Sequence, residues 1–91
     1  MMRVRYVGES FGVDSLTNGK VYECLGPEDI EDHDSWLRII DDSEEDYLYS
    51  TVQPGPLTIP DDGHYPCGRW EIVEDDEKGT LTTLFRKYNL L

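Results

Sequence analysis

Ser35-Trp36-Leu37-Arg38-Ile39-Ile40-Asp41 and Asp46-Tyr47-Leu48-Tyr49-Ser50 are two short runs rich in β-branched and aromatic residues, separated only by Asp42-Ser43-Glu44-Glu45. Such side chains favour a pleated, half-buried strand. A polar link of four residues leaves antiparallel pairing as the natural outcome. A hairpin, strand 35–41 followed by strand 46–50, is therefore the centre of the fold.

Further strands flank it. Residues 1–7 alternate, with Val4 and Tyr6 on one face and Arg3, Arg5 and Val7 on the other. Residues 8–18 form a long polar loop rich in turn formers, and Asn18-Gly19 is a tight-turn pair that launches a second strand over 20–25. Pro27 is expected to end that strand, because proline cannot donate to a ladder, leaving 26–35 as an acidic loop. Residues 51–68 hold four of the five prolines and read as a long connection. A fifth strand follows over 69–74, then an acidic turn over 75–79. The period then changes: Leu81, Leu84, Phe85, Tyr88 and Leu91 recur at helical spacing, which predicts a short helix over about 80–90. Thr80 is placed to cap it, with Asp76 and Glu77 just upstream, and Leu90 falls off its apolar stripe.

At 91 residues the chain is a single domain, 1–91. Twenty acidic against eight basic residues give a net charge of −12, which argues against nucleic acid and anionic membrane as partners, since both are gripped by Lys and Arg. No apolar run approaches the roughly 18 residues needed to cross a bilayer. An aromatic content of 11% separates the chain from solvated, disordered polyelectrolytes. The basic segment 1–6 has no apolar stretch behind it, so no signal peptide is expected, and the chain reads as cytoplasmic with reduced thiols. Cys24, inside a strand pattern, is expected to be a buried small hydrophobe.

Three stretches carry a family resemblance: Leu16-Thr17-Asn18-Gly19-Lys20-Val21-Tyr22-Glu23-Cys24-Leu25, Ser35-Trp36-Leu37-Arg38-Ile39-Ile40 and Asp46-Tyr47-Leu48-Tyr49. They resemble the second strand after a glycine turn, the tryptophan-bearing third strand, and the fourth strand after the distal hairpin of the Src-homology-3-like fold. The pair Gly19-Lys20-Val21-Tyr22-Glu23 and Glu45-Asp46-Tyr47-Leu48-Tyr49 is also similar to a group of small bacterial and phage proteins. The resemblance implies an all-β, five-stranded small barrel over about 3–74 with an added C-terminal helix. In such a barrel Tyr22, Cys24, Ile39, Leu48 and one of Ile72 or Val73 point inward, and Val4 or Tyr6 closes the first strand.

The same resemblance puts Trp36 at the position of a groove tryptophan, with Tyr6, Tyr47 and Tyr49 available to line the surface and Glu9 and Asp14 supplying acid. The first strand lacks the Ala-Leu-Tyr-Asp-Tyr pattern of the proline-peptide binders, and Tyr49-Ser50 stand where a proline is expected. Packing of Trp36 and the tyrosines against loops or helix is therefore the alternative. Charge is polarised: residues 26–78 hold 17 of the 20 acidic residues and 3 of the 8 basic ones. Such a face suits a basic partner and steers its approach. The expected protein-binding site is Trp36, Tyr47 and Tyr49 with Glu31, Asp32 and Asp34, as an inhibitor or immunity protein would use. The alternative is a structural subunit, a homodimer through Leu81, Leu84, Phe85 and Tyr88. Metal is not expected. Glu31-Asp32-His33-Asp34 lacks calcium-loop spacing, and His64 with Cys67 falls short of a closed zinc set. No nucleophile, base and orienting group stand together, so the chain reads as a non-enzyme without cofactors.

Overall fold

The computed structural model describes residues 1–12, 14–30, 34–56 and 63–91. Five strands, β1 (Met2–Gly8), β2 (Val21–Ile30), β3 (Asp34–Ile40), β4 (Asp46–Ser50) and β5 (Gly68–Glu74), precede one helix, α1 (Thr80–Lys87). All strand pairs are antiparallel, in one sheet ordered β4-β3-β2-β1-β5. The all-β class and the C-terminal helix agree with the sequence reading. The sheet is not closed into a barrel: β4 and β5 are its two edges. The Trp70 indole of β5 donates to the Ser50 carbonyl of β4 at 3.0 Å, so a side chain joins these edge strands.

The second strand corrects the sequence reading. Rather than stopping at Pro27, β2 runs on to Ile30, with Pro27 opposite Leu37. Two features permit this. The register slips between Cys24 and Gly26, and Gly26 adopts φ +136°, a conformation few other residues accept. Beyond Cys24 the strand has lost β1 as a neighbour and pairs only with β3, so a proline there interrupts no second ladder. At the other end of β1, Gly8 and Gly68 face each other. A Cβ on Gly8 would stand 2.4 Å from the Gly68 Cα, so this pairing tolerates no side chain.

Val4 and Tyr6 are both fully buried, and Tyr22, Cys24 and Ile39 join them in the core. Burial pushes the Cys24 thiol up to about 11, and both Cys24 and Cys67 are free thiols. Ile72 packs against the core while Val73 is exposed. Leu48 does not point inward as expected. Pairing of Leu37 with Tyr49 and of Ile39 with Tyr47 puts the tyrosines on the inner face and Leu48 on the outer one. Tyr49 is therefore a core residue, 8% exposed. Trp70 is the hub: its ring meets Tyr6 at 5.7 Å and Tyr22 and Tyr49 at 6.4 Å, all edge-on.

The helix buries Leu81 and Phe85 in this same core, with Leu84 and Leu90 packed against it. Its N-cap residue is Gly79 rather than Thr80, and the missing cap oxygens come from the acidic turn. Asp75 accepts from the backbone N–H of Leu81 (3.0 Å) and Thr82 (2.8 Å), and Asp76 accepts from that of Thr80 (2.8 Å). At the other end Asn89 turns left-handed (φ 57°). Its N–H donates to Arg86 O and that of Leu90 to Phe85 O, a Schellman closure that folds Leu90 back onto the core.

Burial pushes the Asp75 carboxyl up, but the Thr82 and Leu81 N–H donors prevail and hold it at about 2. Because this pKa is depressed on folding, the stabilisation is complete above the unfolded value near 4. It fades as pH falls through about 2. Asp75→Ala is expected to cost about 1 kcal/mol at neutral pH and to flatten the loss of helical ellipticity between about pH 4 and pH 2. An unchanged acid profile in the variant would refute the capping role.

Candidate functional site

The loop between β1 and β2 folds back on itself through paired hydrogen bonds between Phe11 and Leu16. It is fastened to the β3–β4 hairpin by Asp42. The Asp42 carboxylate accepts from Lys20 Nζ (2.5 Å), Thr17 Oγ1 (2.7 Å) and Tyr22 OH (3.0 Å), and its N–H donates to Ser15 O (3.0 Å). Partial burial opposes ionisation of Asp42, but these donors outweigh it and hold the carboxyl below its usual range. The hairpin itself is braced by Asp41, whose buried carboxylate accepts from the Ser43 N–H (2.9 Å) and from Tyr49 OH (2.6 Å). Burial, then this bond to Asp41, drive the Tyr49 phenol strongly upward, so it remains a neutral donor.

Between loop and hairpin lies a groove of about 810 Å³. Trp36 and Leu48 line it from the outer face of the sheet, Tyr47 and Tyr49 from the inner face, and Phe11 and Pro56 from the flanking loops. Phe11 leans edge-on against Tyr6 (5.8 Å) and Tyr49 (6.3 Å), which ties the loop wall to the core. Among the described residues the charged lining is Asp14, Asp41 and Asp46 against one cation, Arg38. Arg38 is already engaged, by Glu28 (2.7 and 3.1 Å) and by Asp46 (2.8 Å). These bonds raise the guanidinium pKa and lower that of Glu28.

The structure brings Trp36, Tyr47 and Tyr49 to one groove. Trp36 is half-buried on the groove wall, and Tyr47 is 50% exposed with its hydroxyl donating to Glu45 (3.0 Å). Tyr49 contributes to the floor but is largely spent on the core. Tyr6 is fully buried and is not among the residues that line the groove. Glu31 and Asp32 lie outside the described residues. Asp34 opens β3 in backbone only. Of the proposed self-association residues, Leu81 and Phe85 are covered by the chain's own sheet, and Leu84 and Tyr88 are half-buried. Among the described residues no three His, Cys, Asp or Glu side chains gather as a metal site requires, and no helix is long and apolar enough to cross a membrane.

Sequence reasoning missed Phe11, Arg38 and Leu48 as groove residues. Arg38 was accessible by alternation, being two residues beyond Trp36 on the same strand face. Phe11 had a weaker signal as the one aromatic in a polar loop. Leu48 had none, because Tyr47-Leu48-Tyr49 is apolar throughout. Comparison with family models, with curated proteins and with solved structures finds no match to this chain.

Proposed function

We propose that this protein is a non-catalytic binding module that recognises a basic protein partner through the groove around Trp36. One observation carries the reading: Trp36, Tyr47, Leu48, Phe11 and Pro56 converge on one groove whose charged lining, among the described residues, has three carboxylates to one guanidinium. Aromatic rings on a braced wall are the anchors that dominate interfaces. The carboxylates steer a basic partner towards them, and the net charge of −12 extends that field over the molecule. The order β4-β3-β2-β1-β5, the long β1–β2 loop, the tight β3–β4 hairpin and a tryptophan on β3 support a Src-homology-3-like arrangement.

The test is affinity capture from host lysate at low and physiological salt, with Trp36→Ala run in parallel. A basic protein retained by the parent chain, weakened by salt and lost with Trp36→Ala, is the expected result. Equal capture by parent and variant would contradict the reading. Asp14→Lys on the groove lining with Glu45→Lys next to Asp46, both exposed positions, is expected to slow association about tenfold at low salt. The difference should vanish near half-molar salt, where the Debye length falls to about 4 Å. Stopped-flow association rates give the answer directly, and identical low-salt rates would remove the steering.

A further inference from the structure

From the backbone of β4 we infer that the groove takes its partner as an extended, basic segment that pairs with the free edge of this strand as a sixth strand of the sheet. The inference rests on the binding reading above and specifies what is bound. The Asp41 N–H donates to Glu45 O and the Thr51 N–H to Ser35 O. These bonds fix which residues of the hairpin exchange ladder bonds. With the register Leu37 to Tyr49 and Ile39 to Tyr47, the backbone groups of Tyr47 and Tyr49 face β3. Those of Asp46, Leu48 and Ser50 face away from it. The Trp70 indole bond to the Ser50 carbonyl agrees with this, since that carbonyl is not spent on β3. Among the described residues nothing else bonds there, so Leu48 and Asp46 present unpaired N–H and C=O groups along the edge.

The groove lies along this edge. Its lining takes Trp36, Arg38 and Leu48 from one face of the β3–β4 pair and Tyr47 and Tyr49 from the other. An added strand would make main-chain bonds to Leu48 and Asp46 and send alternate side chains to the Trp36 side and the Tyr47 side. Charge selects the occupant. Asp14, Glu44, Glu45 and Asp46 are all exposed about this edge, so two copies of the chain set edge to edge would repel, whereas Lys and Arg are welcome.

The probe is a set of ten-residue peptides alternating Lys or Arg with Val, Ile or Thr, titrated into the ¹⁵N-labelled full chain. Slowing of Leu48 amide exchange by at least tenfold is expected, together with a shift of the Trp36 indole signal. N-methylation of every second peptide amide should abolish binding in one phase and spare it in the other. Leu48→Pro removes the outward N–H without touching the bonds to β3, along with a groove-lining side chain; it should keep the fold and weaken the peptide at least tenfold beyond Leu48→Ala, which loses the side chain alone. The N-methyl series decides the matter even where that variant misfolds. A shifted Trp36 signal with an unprotected Leu48 amide and no N-methyl phase would overturn edge pairing yet leave the groove reading standing. Absence of any Trp36 response across the set, while the captured partner does shift it, likewise overturns edge pairing alone. Absence with both removes the groove reading as well.

Discussion

Trp70→Ala is expected to remove about 3–5 kcal/mol of stability, the cost of emptying a large aromatic site that cannot collapse. The 4% exposed ring is walled by three tyrosines from β1, β2 and β4, and its indole N–H is the bond that joins the sheet's two edge strands. A domain of this length has a total stability of about 5–13 kcal/mol, so the variant should melt about 15–30 °C lower or fail to fold. Trp70→Phe separates the two contributions. It keeps most of the ring contact and loses the hydrogen bond, so about 1–2 kcal/mol is expected. Thermal melts followed by near-ultraviolet circular dichroism make the comparison. A loss below about 1 kcal/mol in Trp70→Ala would mean that the edges are held together by something else.

Trp36→Ala should behave in the opposite way. The side chain stands half-buried on the outer face of β3, opposite Ser50, and belongs to no buried cluster. Its loss is expected to cost about 1 kcal/mol or less of stability. Partner affinity, by contrast, should fall about thirtyfold, the equivalent of roughly 2 kcal/mol for a central aromatic anchor. Isothermal titration with the captured partner, beside a thermal melt of the same variant, reads both quantities. A large drop in melting temperature with unchanged affinity would exchange the roles of the two tryptophans.

That contrast also marks what the sequence can and cannot convey. The hairpin was legible because its runs are dense in aromatic and β-branched residues and its link is short, and β4 falls on the residues the pattern indicates. The helix was legible from its period, including the buried pair Leu81 and Phe85. Which face of β4 turns inward was not legible: in Tyr47-Leu48-Tyr49 no polar residue breaks the symmetry, and the choice falls to pairing with Leu37 and Ile39. Pro27 misled for a similar reason. Its effect depends on whether a second strand lies beside it, which is a fact about β1 and not about the local sequence. Trp36 and Trp70 each sit in a strand pattern, and tertiary placement alone makes one an open wall and the other a hub.

The site was legible in part. Trp36 and Tyr47 were singled out because they lie on adjoining strands of one short hairpin, and both line the groove, from opposite faces of the sheet at its edge. The loop wall was not, since the position of Phe11 depends on Asp42 gathering Lys20, Thr17 and Tyr22 across the molecule. Those contacts join residues more than twenty positions apart in most cases, and no local pattern announces them.

If the groove around Trp36 is the surface this protein presents to its partner, binding must be felt at the Trp36 indole and not at Trp70. The chain has two tryptophans, hence two indole N–H signals, one in the groove and one in the core. An ¹⁵N–¹H titration with the captured basic partner therefore compares the groove and the core within a single spectrum. The Trp36 indole signal is expected to shift or broaden on saturation while the Trp70 signal holds its position. A Trp36 signal unmoved by a partner that demonstrably binds would contradict it.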